Sequence, residues 1–373
     1  MRRHDLDWLR VLVFGLLIFY HVGMFFVPWG WHIKNNEIYD WLRYPMIFLN
    51  QWRLPILFVI SGMGTAYALS FRTASQFIKE RFLRLFIPLA FGMLMIVPPQ
   101  VYVERLVDGV FQGTYSDWLV SGAFLQGVYP EGNFSWHHLW FLPYLLVFSI
   151  LLTPVFVKLR SHPSGKMLSW LRKRVSTRPY FLFVFVVPLY FYEALLEPFF
   201  EVTHNLVWDW FNFTSSLTLF FYGFLMIAIG DVFWQAVDRI RNYALLTGVI
   251  SFTSLLLIWL TLEDSMLVHF VEALIKVTNL WAWILAILGL GARFLNHQSR
   301  QLTYANQAVY PFYILHQTIT IIIGYYFMDL DWSLALKSSI MLLGTFGGAC
   351  LIYEFLIRRW RWVRPLFGLK KAA

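Results

Sequence analysis

Ten long apolar runs, with few charges between their ends, most constrain what this chain can become. They are read at roughly 11–28, 45–69, 85–102, 139–157, 180–197, 215–234, 243–262, 267–291, 305–327 and 333–356. Only 14% of the 373 residues are charged, against about 25% in an ordinary soluble domain. So little charge cannot clothe a water-facing surface, and runs of about 20 apolar residues fit a bilayer core. The expectation is an all-α, polytopic integral membrane protein of about ten transmembrane helices. The stretch 118–128 reads as an interfacial helix, and 158–179 as a basic, solvated linker.

Charge gives the chain a direction. With the N-terminus placed in the cytoplasm, 24 of the 30 Lys and Arg residues fall on inner segments. Lys34, Arg43, Arg53, Arg105, Lys276 and Lys337 are the remainder. Both termini are then cytoplasmic, in a bacterial-type inner membrane. The net charge of +9 faces anionic lipid, so the bilayer accounts for it and no nucleic-acid partner is required. The first run follows basic residues, but Pro28-Trp29-Gly30-Trp31 comes next, not a small-residue cleavage site. It reads as an uncleaved first helix. The lone Cys350 offers neither a disulfide nor a cysteine-based metal site, and the histidines lack metal-ligand spacing; no metal is expected. The chain reads as one domain over 1–373, and its oligomeric state is not legible.

Polar residues inside such runs are costly and mark function. Arg10 and His21 are eleven helical steps apart, which returns a side chain to within about 20° of its starting direction. They share a face, roughly 16 Å apart along the axis, with arginine at the cytoplasmic mouth and histidine in the outer half. Ser61-Gly62 lies past the middle of the second run. It is either a close-packing point between helices or a chemical group. Lys79-Glu80-Arg81 and Arg84 precede the third run, where positive-inside anchoring would put them anyway. His138 opens the fourth, at an interface where polar residues cost little. His316 sits deep in the ninth, flanked by apolar residues. Glu193, Glu197 and Glu201, spaced by four, are expected on one helical face, as acceptor contacts or as a solvated helix end. Glu272 and Lys276 can pair as i, i+4 neighbours.

Asp7-Trp8-Leu9-Arg10, ten residues and then His21 resemble the opening of the membrane-bound acyltransferase 3 family. Phe58-Val59-Ile60-Ser61-Gly62 resembles its second motif, and Arg81-x-x-Arg84-Leu85-x-x-Pro88 its third. His138-Leu139-Trp140-Phe141-Leu142 and Tyr313-x-x-His316-Gln317 resemble the branch that succinylates glucans. The resemblance runs from residue 5 to about 356. Pro143-Tyr144 stands where O-antigen acetylases of the family carry an acid, so that substrate is not carried over.

What the resemblance implies is transfer of an acetyl or succinyl group from cytoplasmic acyl-CoA, a co-substrate and not a resident cofactor. The acceptor is a hydroxyl of an external glycan or glycolipid. His21 would be the general base, as a group titrating near neutrality suits. Arg10, Arg81 and Arg84 would hold the donor's phosphates through forked contacts. Tyr20, Ser61, His138, His316 and Glu193 would support the oxyanion or the acceptor. The competing class is a transporter of organic anions or lipid-linked sugars, but no internal duplication is visible.

Overall fold

The computed structural model describes residues 3–370, and the elements it forms there are helices joined by turns and loops. The helices are α1 (His4–Met24), α2 (Arg43–Leu69), α3 (Ala74–Phe91), α4 (Pro98–Val107), α5 (Tyr115–Val120), α6 (Phe141–Ser161), α7 (Lys166–Thr177), α8 (Val186–Leu195), α9 (Trp210–Ala228), α10 (Asp231–Thr261), α11 (Met266–Phe294), α12 (Arg300–Tyr325) and α13 (Leu334–Ile352). Among the described residues, nine helical stretches are long and apolar enough to cross a membrane. The sequence-predicted span missing from these nine is the ninth, 305–327, which is α12. At 26 residues it is long enough, but Asn306, Gln307, His316 and Gln317 lower its hydropathy.

Local chemistry sets the breaks. Ser265 and Ser333 cap α11 and α13 by accepting from Val268 N and Leu336 N. Thr114 and Asp117 form a reciprocal capping box that starts α5 at Tyr115. The helix ends at Val120, so most of the stretch 118–128 expected as one helix is turn with a short 3-10 segment at Ala123–Leu125. Pro98 and Pro99 lack N–H groups and interrupt the ladder of the third span. The turn before them widens into a π-helix, Gly92–Ile96, with Val97 N bonded to Gly92 O at 2.8 Å. Gln100 N takes Val97 O, which leaves the carbonyl of Ile96 to a side chain described below.

Two further expectations are corrected. The segment 158–179 is not a bare linker. Leu168, Leu171 and Val175 form a buried stripe on α7, and Arg172 donates to Ala228 O at 2.7 Å. Glu193, Glu197 and Glu201 do not stack on one helical face. Pro198 cannot continue the helix, α8 stops at Leu195, and the chain turns through a 3-10 segment at Glu197–Phe199. The orphaned carbonyl of Ala194 bonds the His269 imidazole at 2.9 Å.

The helices group into two compact units. One comprises the chain up to Arg10, Phe48–Lys79 and Val147–Leu302; the other comprises Val11–Ile47, Glu80–Leu146 and the chain from Thr303. The first is built on the α10–α11 hairpin and an aromatic core in which Phe156 and Phe224 stack at 3.9 Å. Two glycines let α2 and α9 cross at backbone contact. A methyl added to Gly62 would lie 1.9 Å from Phe220 O, and one added to Gly223 would lie 2.0 Å from Val59 O. The second unit centres on Val22, Phe25, Phe26, Ile33, Ile321 and Met341. Buried Lys337 pins the loop after α1 by donating to Asn35 Oδ1 at 2.5 Å and Asn36 Oδ1 at 2.9 Å. At the end of this unit, Arg364–Phe367 forms a 3-10 turn, and Phe367 meets Phe91 at 5.3 Å between ring centroids. Gly368, at φ 68°, lies so close to the Tyr310 ring that a Cβ there would sit 2.0 Å from it. Tyr310 in turn donates to the carbonyl of Arg84 at 3.0 Å.

Candidate active site

The second unit assembles the histidines. His21, in the last turn of α1, places Nδ1 2.8 Å from His316 Nε2, and His316 Nδ1 lies 2.6 Å from Tyr313 O. A carbonyl only accepts, so His316 Nδ1 carries a proton and Nε2 of the neutral ring is an acceptor. His21 Nδ1 must then donate, and its lone pair resides on Nε2. A backbone carbonyl thus sets the tautomer of His21 through one intervening imidazole. His316 is 1% exposed, whereas His21 keeps partial access to its surroundings. Tyr20 is buried beside His21, edge-on at 5.9 Å between ring centroids.

His138 stands perpendicular to His316, with ring centroids 5.2 Å apart. Its Nε2 donates to Ile314 O at 3.0 Å, and Tyr313 Oη donates to its carbonyl at 2.7 Å. Tyr313 therefore serves both histidines. The Nδ1 of His138 is left as an acceptor, 3.4 Å from Gln100 Nε2. That amide also donates to Thr318 Oγ1 at 2.6 Å, and Thr318 donates to the carbonyl of Ile96 freed by the π turn, at 2.7 Å. Gln317 Nε2 donates to Gln100 Oε1 and to His32 Nε2, both at 3.0 Å. His32 Nδ1 donates to Glu104. Each N–H in the chain Glu104–His32–Gln317–Gln100–His138, two on each amide, has one acceptor, so its directions are fixed end to end.

His32, Gln100 and Glu104 are site residues that sequence reading did not single out, and Gln317 entered it only as the end of the Tyr313-x-x-His316-Gln317 motif. Gln100 and Glu104, an i, i+4 pair just after Pro98-Pro99, were the one available signal. Arg10, Ser61 and Glu193 belong to the first unit. Arg10 lies 3.9 Å from Asp7 and, with Arg3, Leu6, Asp7, Ile60 and Tyr67, lines a cavity of about 260 Å³. The Ser61 carbonyl accepts from Thr65 Oγ1 at 2.9 Å. Glu193 faces Lys276 at 3.4 Å, and Lys276 pairs with Glu272 at 2.9 Å, the i, i+4 contact its spacing offered. Arg81 and Arg84 lie in the second unit. Arg84 is solvent-exposed and 3.6 Å from Glu80.

A helical, polytopic membrane protein with an oriented histidine pair inside one of its units is the class these features define. The acyltransferase domain model of the acyltransferase 3 family matches residues 3–354, and the chain belongs to that family. It is 25% identical over 372 residues to glucans biosynthesis protein C of Shigella dysenteriae serotype 1. The same identity holds for glucans biosynthesis protein C of Escherichia coli K12. Each alignment covers 96% of this chain and 92% of the relative. No solved structure matches. Membership favours acyl transfer over transport.

Proposed function

We propose that the protein moves an acetyl or succinyl group from cytoplasmic acyl-CoA to a hydroxyl of an extracytoplasmic glycan or glycolipid, with His21 as general base. The observation that carries this reading is the His21–His316–Tyr313 relay, which leaves the basic lone pair on His21 Nε2. In the reaction, Nε2 takes the acceptor hydroxyl proton as its oxygen attacks the thioester carbonyl carbon. A C–O bond forms and a tetrahedral oxyanion develops. The C–S bond then breaks, and protonated His21 returns the proton to the departing thiolate. The products are an ester and free coenzyme A, with the base restored.

Other residues take supporting roles. His316 holds the ring in register and accepts from Nδ1 as the imidazolium forms, the duty an orienting partner performs for any catalytic histidine. Tyr20 and Ser61 are candidates for the oxyanion, whereas His138, whose one N–H is given to Ile314 O, serves as a structural support of the histidine cluster. Arg10, Arg81 and Arg84 would meet the donor's phosphates at the cytoplasmic side, where 24 of the 30 basic residues fall on a count with both termini inside. The names of the relatives support a glucan acceptor.

The test uses purified protein in lipid nanodiscs, acyl-CoA and a linear glucose oligosaccharide, following coenzyme A release. His21→Ala is expected to abolish turnover while its melting temperature stays at the wild-type value. Wild-type turnover in that variant would overturn the assignment. Cysteine labelling from each side of the membrane checks the orientation, and an external C-terminus would overturn the donor-inside scheme.

A further inference from the structure

A second cavity in the same unit, about 330 Å³, is lined by Trp31, His32, Glu104, Asp108, Tyr129 and His137. Its size is at the small end of the range for small-molecule sites, about 300–1,000 Å³. Three features show that it is built and not incidental. His137 holds φ at 39°, a left-handed conformation that a non-glycine residue adopts at a cost. Its Nε2 is shut away from solvent and has no hydrogen-bond partner among the described residues. The ring is edge-on to both His32 at 4.7 Å and Tyr129 at 4.6 Å between centroids. Arg105 clamps the loop that presents Tyr129, donating to Pro130 O at 2.6 Å, Gly132 O at 2.8 Å and Asn133 Oδ1 at 3.0 Å.

The lining selects a chemical class. Two carboxylates, Glu104 and Asp108, disfavour an anion, which rules out the phosphates of the acyl donor. Glu104 is already occupied by His32 and lies 3.9 Å from Arg105, so the cavity is no strong cation trap. Among the described residues, no group of His, Cys, Asp or Glu is placed to hold a metal ion. What remains is two aromatic rings with an amphipathic face, carboxylate acceptors, an unsatisfied imidazole nitrogen and the Tyr129 hydroxyl. Burial and the nearby Glu104 push that phenol up to about 12, so it stays protonated. A neutral polyhydroxylated ring satisfies all of these: its hydroxyls pair with the carboxylates and imidazole, and its C–H faces lie on the aromatic rings.

We infer that this cavity binds one sugar ring of the acceptor, with Trp31 and Tyr129 as its walls and Asp108 and His137 as hydroxyl partners. The inference rests on the transfer reading above, since the cavity's link to the reacting base runs through Gln317. That residue follows His316 in the chain and donates to His32 Nε2. The relay thereby ties the wall of the sugar site to the helix that orients His21.

The experiment titrates a linear glucose oligosaccharide into the purified full-length protein without acyl-CoA, read by calorimetry, and measures coenzyme A release with the same preparations. Trp31→Ala is expected to weaken binding by about 10-fold, with Trp31→Tyr retaining most of it. Asp108→Asn, at an exposed helix end that folding tolerates, is expected to weaken it by about 10-fold. Wild-type affinity in both Trp31→Ala and Asp108→Asn overturns the site, as does the absence of saccharide binding by the wild-type protein. Binding that responds to these variants without any coenzyme A release supports the site while overturning the transfer reading. Coenzyme A release with an unaltered KM for the saccharide in the variants does the reverse.

Discussion

Replacing Gly62 by alanine tests whether the Ser61-Gly62 motif is first of all a helix crossing. The added Cβ would stand 1.9 Å from Phe220 O, 2.9 Å from Phe220 C and 3.1 Å from Phe224 N. All three are backbone atoms, which cannot swing aside as a side chain would. A carbon–oxygen contact settles at about 3.3 Å, so α2 and α9 would have to part locally by roughly 1.4 Å. A radial gap of 0.5–1 Å already forfeits about a quarter to a half of each dispersion contact it opens. Phe58, Val59, Met63, Phe220 and Phe224 are all buried around this crossing. Overpacking typically costs about 1–3 kcal/mol, and backbone on both sides puts this case near 3. The expected result is a melting temperature roughly 4 °C below wild type, measured by fluorescence-detected size exclusion after heating in detergent. Ser61→Ala in the same assay should stay within about 2 °C of wild type. Because Gly223 makes the reciprocal contact with Val59 O, adding Gly223→Ala to Gly62→Ala should cost far less than it does alone. A Gly62→Ala protein melting within 2 °C of wild type, or full additivity of the pair, would refute the reasoning.

Three further outcomes are expected. His316→Ala removes the acceptor for His21 Nδ1 and should lower kcat by about 10²-fold or more, with the acceptor KM little changed, in steady-state assays. An unaltered kcat would return His316 to a packing role. His204, partly buried in the loop before α9, has its imidazole held down to about 4 by burial. The unfolded chain then binds more protons between about 4 and 6.5, so stability falls as pH drops through that window. His204→Asn, which also suits the φ of 57° there, should flatten this limb in melts run from pH 7 to 4. Lys276→Met strands Glu193 and Glu272 and should lower the melting temperature, whereas the triple change with Glu193→Gln and Glu272→Gln should recover most of the loss.

The legible part of this molecule is what periodicity and depth reveal. Apolar runs located the spans, costly polar residues marked His21 and His316, and the motif resemblance marked His138; the fold gathers all three in one unit. The capping serine of α11 and the Glu272–Lys276 pair follow from local spacing alone. His32 was illegible for the opposite reason: a histidine in a loop costs nothing, so its sequence neighbourhood carries no signal. Its partners Glu104 and Gln317 are contributed from distant segments. The run read at 85–102 passed straight over Pro98-Pro99, where the helix is in fact broken. That Thr318 would take up the carbonyl left at Ile96 depends on a contact spanning 222 positions. The buried stripe of α7 was readable, with Leu168, Leu171 and Val175 at helical spacing, but the density of basic residues masked it.

The turn at Arg364–Phe367 lies beyond the family-matched span, which ends at residue 354, yet its glycine rests on Tyr310, whose hydroxyl holds the backbone of Arg84. This makes the C-terminal end a structural clasp on the third sequence motif and not a free handle. A purification tag fused at Gly368, or a truncation at the edge of the matched span, would release the Tyr310 ring and slacken the helix that carries Arg81 and Arg84. Expression designs should carry their fusions on a spacer beyond residue 370, leaving the clasp closed.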